Sequence, residues 1–150
     1  MSLQTQIMDA MKIAMKAKDT QSLQALRAVK AAMLLAQTES GAKQELSEED
    51  MLNILQKQVK QRKDSAAIFT EQNRNDLAEP ELAEAEVIAK FLPKQMDASE
   101  IALIIDEIIT QAGVSSMADM GKVMGMASGK LNGKADGKTI STIVKERLSK

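Results

Sequence analysis

The chain of 150 residues has no cysteine, histidine, tryptophan or tyrosine, and its only aromatic residues are Phe69 and Phe91. Each absence removes a chemistry. Without cysteine there is no disulfide framework and no thiolate nucleophile. Without histidine there is no imidazole acid–base catalyst, no base for a serine triad and no zinc site of the usual kind. Two rings are too few for stacking on nucleobases to be a main mode of recognition. No apolar run approaches the roughly 18 residues that a membrane span requires. The first nineteen residues lack the basic-then-apolar pattern of a secretion signal. The expected location is therefore the cytosol, away from membranes.

What is present points one way. Apolar residues make up 44% of the chain, enough for a packed interior, and they are mostly Ala, Leu, Ile and eleven Met. With Lys, Gln and Glu these are strong helix formers, while strand-favouring residues are few. The fold class expected is all-α and multihelical. The net charge of −1 hides an asymmetry: residues 1–38 carry +3, residues 39–112 carry −8 and residues 113–150 carry +4. An acidic middle favours solubility, and a basic end favours a polyanionic partner.

Periodicity divides the chain into seven helices. The first runs from about Leu3 to Ala17 with a stripe of Ile7, Met8, Met11, Ala14 and Met15. After a break near Asp19 and Thr20, a second turns Leu23, Leu26, Val29, Met33 and Leu34 inward, ending before the polar stretch 39–45 with its Gly41. Ser47, followed by three acids, caps a long third helix that carries Leu52, Leu55, Val59, Ala66 and Phe69, with Arg62 at the edge of the stripe and its head in water. Asn73 to Glu79 is expected as a turn, with Pro80 opening a fourth helix that carries Leu82, Ala85, Ile88, Phe91 and Leu92 and is closed by Pro93. Asp97 and Glu100 form a capping box for a fifth helix with Ile101, Ile104, Ile105 and Ile108 buried and Gly113 as its C-cap. A sixth starts near Ser116 with Met117, Met120, Val123, Met124 and Ala127 apolar. The last starts near Asp136 or Lys138 and presents Ile140, Ile143, Val144 and Leu148. More Gly and Lys after Gly113 marks a second subdomain, with the boundary between about 93 and 115. The division adopted is 1–95 and 96–150.

No catalytic constellation emerges. The acids Glu48, Glu49 and Asp50, and Glu79, Glu81, Glu84 and Glu86, sit in first helical turns or on polar faces, where solvated surface is the ordinary reading. No catalytic residue, metal ligand or cofactor site is assigned. The segment Gly133-Lys134-Ala135-Asp136-Gly137-Lys138-Thr139 resembles a phosphate-binding loop. It has three residues between its glycines where four are needed, and it follows a helix instead of a strand. It reads better as a Gly-rich turn into a helix N-terminus, where free amides attract anions, with Lys122, Lys130, Lys134 and Lys138 around it. An ordinary corner, with lysines for solubility, accounts for the same residues, and composition alone favours it. Gly121, Gly125 and Gly129 recur on one helical face, which implies a close approach, by a neighbouring helix or by a ligand backbone; helix packing is the expected one. Lys57, Lys60 and Lys63 form a solvated, salt-bridged face. The methionine stripe of the first helix is either core filler or a docking surface for a partner.

Five ordered segments carry a resemblance to a known family: Gln56-Lys57-Gln58-Val59-Lys60-Gln61-Arg62-Lys63-Asp64-Ser65, Arg74-Asn75-Asp76-Leu77, Phe91-Leu92-Pro93, Met120-Gly121-Lys122-Val123-Met124-Gly125 and Gly133-Lys134-Ala135-Asp136-Gly137. Together they cover nearly the whole chain, which resembles the GatB/YqeY family and, within it, the free-standing YqeY branch. That branch is similar to the C-terminal tail domain of the tRNA-dependent amidotransferase. The resemblance implies a four-helix-type N-terminal part joined to a three-helix C-terminal bundle. It also implies tRNA recognition, since the related tail helps to hold the body of the tRNA. Members are often labelled carbon–nitrogen ligases with glutamine as amido-N-donor, yet this chain has no room for the catalytic cradle, ATP site or glutaminase. Phe91 stands where the family often has Tyr, so a hydrogen bond from that ring is absent. The resemblance, with the basic C-terminal charge, selects Lys122, Gly125, Lys130, Gly133, Lys134 and Lys138 as candidate contacts to an RNA backbone. The alternative is an adaptor that docks a protein of the aminoacylation machinery.

Overall fold

The computed structural model describes residues 2–39 and 45–149, and within these the chain is all-helical. It forms two compact units, Met1–Leu92 and Pro93–Lys150. The N-terminal unit holds α1 (Leu3–Lys16), α2 (Thr20–Glu39), α3 (Glu48–Glu71) and α4 (Asn75–Ala89). The C-terminal unit holds α5 (Ala98–Ala112), a 3-10 turn (Met117–Asp119), α6 (Met120–Lys130) and α7 (Gly137–Leu148). Among the described residues no single helix is long and apolar enough to cross a membrane.

Local capping sets most of the helix starts. The Ser2 and Ser47 side chains accept the amides of Thr5 and Asp50, and the Asp50 carboxylate accepts the Ser47 amide in return. Asp97 and Glu100 close the expected capping box. The α1–α2 break has no glycine. Lys18 takes a left-handed conformation, φ 55°, while Asp19 accepts both the amide and the hydroxyl of Ser22 and so starts α2. The break expected around Gly41 lies largely outside the described residues.

In the N-terminal unit Leu3 and Ile7 of α1, Ala25, Leu26, Val29 and Met33 of α2, Met51, Leu55 and Val59 of α3, and Ala85 and Ile88 of α4 form one core. The most extensive helix pair is α3 with α4, and each contributes buried alanines, Ala66 on one side and Ala78 and Ala85 on the other. Small residues permit close helix approach.

Several sequence expectations are corrected here. The fourth helix begins at Asn75, so Pro80 is its sixth residue, not its first. The Arg74 carbonyl accepts the amides of both Leu77 and Ala78, and burial of Ala78 anchors that turn ahead of the proline. The same helix ends at Ala89, which leaves Phe91 and Leu92 half-buried beyond it. Leu34, expected to point inward, is exposed, and so are Leu82 and, from the α1 stripe that could be either core or docking surface, Met8 and Met15. Each sits just outside the arc that its helix turns to the core, a limit that apolar periodicity does not resolve. The Arg62 head is not in water. It donates to Glu84 of α4 at 3.3 Å and to the Gln58 side chain at 2.6 Å, and the Arg62 and Glu84 side chains are only 13% and 17% exposed.

The C-terminal unit packs Ile101, Ile105 and Ile108 of α5 against Val123 and Ala127 of α6 and Ile140, Ile143, Val144 and Leu148 of α7. Gly113 ends α5 in the left-handed conformation, φ 66°, as expected of a C-cap glycine. Arg147 of α7 reaches Asp106 of α5 at 3.5 Å.

Candidate nucleic-acid interface

The six candidate residues lie on α6, on the loop after it and on the first turn of α7. That loop is held by hydrogen bonds at several points. Leu131 is fully buried and its amide closes the end of α6 on the Ala127 carbonyl at 2.8 Å. The Lys134 amide returns to the Leu131 carbonyl at 2.9 Å across Gly133, whose φ of 77° suits glycine. Two outside groups fix the backbone. Gln95 donates from its side-chain amide to the Gly133 carbonyl at 2.6 Å, and the Met96 amide donates to the Lys134 carbonyl at 2.9 Å. Ala135 is buried beside them. Gly133 thus shapes the loop from inside, while the Lys134 side chain stands in solvent.

Gln95 and Met96 were not legible as partners of this loop. They lie nearly forty residues away in sequence, and a polar residue after Pro93 reads only as linker. Their role comes from tertiary pairing alone.

The N-terminus of α7 departs from the expectation of a free anion site. Asp136 is its N-cap, and its carboxylate accepts the Thr139 amide at 2.6 Å. A negative charge of the chain itself already occupies the positive end of that helix, so an incoming anion would meet repulsion there. The anion-attracting capacity of this region rests on lysines instead.

The glycines also depart from expectation. A Cβ built at Gly121, Gly125 or Gly129 would meet nothing within 4 Å, so no neighbouring helix packs against them. All three are exposed, and on the helical wheel they share an open face of α6 with Lys122 and Met126. Lys130 flanks this face at the end of the helix. Lys138 is directed elsewhere: it lines a shallow groove of about 320 Å³ between α5 and α7, with Ala98, Thr142 and Glu146. The candidates therefore form a band along α6 and its loop (Lys122, Gly125, Lys130, Lys134), with Lys138 off to one side and Gly133 internal. None of these four lysines is in an ion pair among the described residues.

Two small helical units, one of them bearing an open, glycine-lined face fringed by unpaired lysines, define the class of molecule. Residues 4–148 match the model of the Yqey-like proteins, and the chain belongs to that family. Over 90 residues it is 36% identical to a protein of Clavispora lusitaniae named "Altered inheritance of mitochondria protein 41, mitochondrial". That alignment covers 60% of this chain and 51% of the relative, so the chain spans about half the length of the protein it matches.

Proposed function

We propose that the C-terminal unit is a tRNA-binding module that holds its RNA by the phosphate backbone and carries out no chemistry of its own. The observation that carries this reading is the open face of α6. Three glycines there each weaken the helix by about 0.5–1 kcal/mol relative to Ala, and among the described residues nothing lies within 4 Å of a Cβ placed on them. A surface without side chains lets a bulky backbone come close, and unpaired lysines at its edges suit phosphates. The relation of the family to the amidotransferase tail, inferred from the sequence motifs, makes folded tRNA the nucleic acid of choice. The scarcity of aromatic rings favours contact through shape and backbone over base readout. The proposal places this binding in the cytosol, in keeping with a chain that has no cysteine.

The test is fluorescence anisotropy with labelled tRNA across a salt titration, with a DNA duplex of similar charge as competitor. With the three lysines of the α6 band engaged, Lys122, Lys130 and Lys134, log Kd should change with log salt with a slope of about 2 to 3. The double substitution Lys130→Glu with Lys134→Glu should lower that slope by about 2 and weaken binding at least about tenfold. Absence of binding at low salt overturns the proposal and leaves a protein partner of the aminoacylation machinery as the reading to pursue. Glutamine-dependent amidation by the purified chain would contradict its non-catalytic part.

A further inference from the structure

The N-terminal unit carries two exposed features that match each other. The first is a groove between α3 and α4 enclosing about 480 Å³, with Leu82, Ala85 and Ala89 along its floor and Lys63, Glu79 and Glu86 at its rim. Leu82 is 48% exposed, an apolar side chain with no cover. Glu79 and Glu86 are seven residues apart on α4, as are Leu82 and Ala89, so an acidic line runs parallel to an apolar line for two helical turns, about 10.5 Å. Neither carboxylate is in an ion pair among the described residues.

The second feature is the outer face of α1. Met8 and Met15 are 48% and 54% exposed and also seven residues apart. Lys12 and Lys16 lie beside them on the helical wheel, exposed and without ion-pair partners among the described residues. The face thus sets a basic pair one turn apart, about 6 Å, beside an apolar pair two turns apart. Methionine is suited to such a contact, since its unbranched side chain adapts to a shallow surface.

We propose that this groove is a docking site for α1 of a second copy of the same chain. Met8 and Met15 lie on Leu82 and Ala89, and Lys12 and Lys16 face Glu79 and Glu86. Charge complementarity and the common seven-residue spacing of the apolar pairs select this occupant: a methionine-bearing helix with two lysines fits an apolar groove with two glutamates, the long lysine side chains spanning the wider separation of the carboxylates, and the chain itself supplies such a helix. The two surfaces differ, so the contact either is reciprocated across a two-fold axis or repeats head to tail. This inference is independent of the tRNA reading, because its surfaces lie in the other unit and its test contains no RNA.

The test is sedimentation velocity on the nuclease-treated full chain over a range of concentrations, at low and high salt. Concentration-dependent association that weakens with salt is expected. Glu79→Lys with Glu86→Lys, and separately Lys12→Glu with Lys16→Glu, should each weaken it at least about tenfold. The chain with all four reversals should associate again to near the original extent, because the charges are then exchanged across the contact. Helicity and melting by circular dichroism verify that each variant is folded, which these exposed positions favour. A monomer at every concentration overturns the proposal. So does association that ignores both pairs of reversals, or that the fourfold variant fails to recover.

Discussion

The two units solve the problem of a small helical core in different ways. In the N-terminal unit the helices are long, up to the 24 residues of α3, and none of its described helices contains glycine. Its α3–α4 pair is joined by buried alanines and by the Arg62–Glu84 ion pair. The C-terminal unit contains six of the chain's seven glycines and builds its core largely from isoleucine and valine. Its α6 has 11 residues and three exposed glycines with open space around them. Helices so short gain little from propensity, so tertiary packing must hold them. The contrast teaches that the C-terminal unit depends on its isoleucine- and valine-rich core, and that the glycine face of α6 adds nothing to that packing.

The sharpest break of the comparison is a cavity in the C-terminal core. Ile105 is fully buried at the centre of α5. Ile105→Ala should destabilise that unit by about 2–5 kcal/mol. The chain has no Trp or Tyr to report unfolding, so hydrogen exchange read by mass spectrometry is the measurement of choice. Protection should fall across α5, α6 and α7 and be retained in α3 and α4. Equal loss in both units would show that their stabilities are coupled and that the division is only geometric.

The next largest effect tests what joins α3 to α4. Arg62→Ala leaves Glu84 with little water and no cation, and should cost about 1–3 kcal/mol by thermal melting. Replacing both partners, Arg62→Met with Glu84→Leu, should restore most of that loss. Failure to restore it would mean that the Gln58 contacts carry the stabilisation.

How far these features could be read from the sequence depends on their range. Ser47, Asp97 with Glu100, and Gly113 act on residues within one turn, so the caps they make were legible. Pro80 misled because proline is tolerated near a helix start, and the start was fixed upstream by Ala78 finding a place in the core. Leu34, Met8 and Met15 are apolar and periodic, yet burial depends on which neighbours arrive, and none does. The glycine spacing was legible and the open space beside it was not. Among the site residues, the lysines could be named from composition, whereas the hold of Gln95 and Met96 on the loop arises from distant pairing that no local signal encodes.

That open space makes glycine a probe of opposite signs. At Gly125 an alanine meets nothing, and the substitution should stabilise α6 by about 0.5–1 kcal/mol. At Gly113, with φ 66°, alanine should destabilise by about 1 kcal/mol. Thermal melts of the two variants verify the signs. If the α6 face holds a backbone, Gly125→Ala should also bind tRNA more weakly while melting higher, a combination that a purely structural glycine would not produce.

The smallest effect concerns acid and falls on the N-terminal unit. The Asp19 carboxyl is held below the usual carboxylate range by hydrogen bonds from the Ser22 hydroxyl, at 2.6 Å, and the Ser22 amide, at 3.1 Å. Asp76 is held low by the Arg74 guanidinium, which binds it through two nitrogens at 3.0 Å. A carboxyl whose folded pKa is depressed contributes stability that is fully present above its unfolded pKa, about 3.9. That contribution is lost as pH falls through the lower folded value. Both sites are exposed, so the change should be confined to the first turns of α2 and α4 and leave the core untouched. Hydrogen exchange corrected for intrinsic rates should show the amides after Asp19 losing protection as pH falls below about 4 and through the depressed folded value. In Asp19→Asn the cap no longer titrates, so protection there should be independent of pH over the same interval. A pH dependence that survives the substitution would assign the acid response to a group other than the cap.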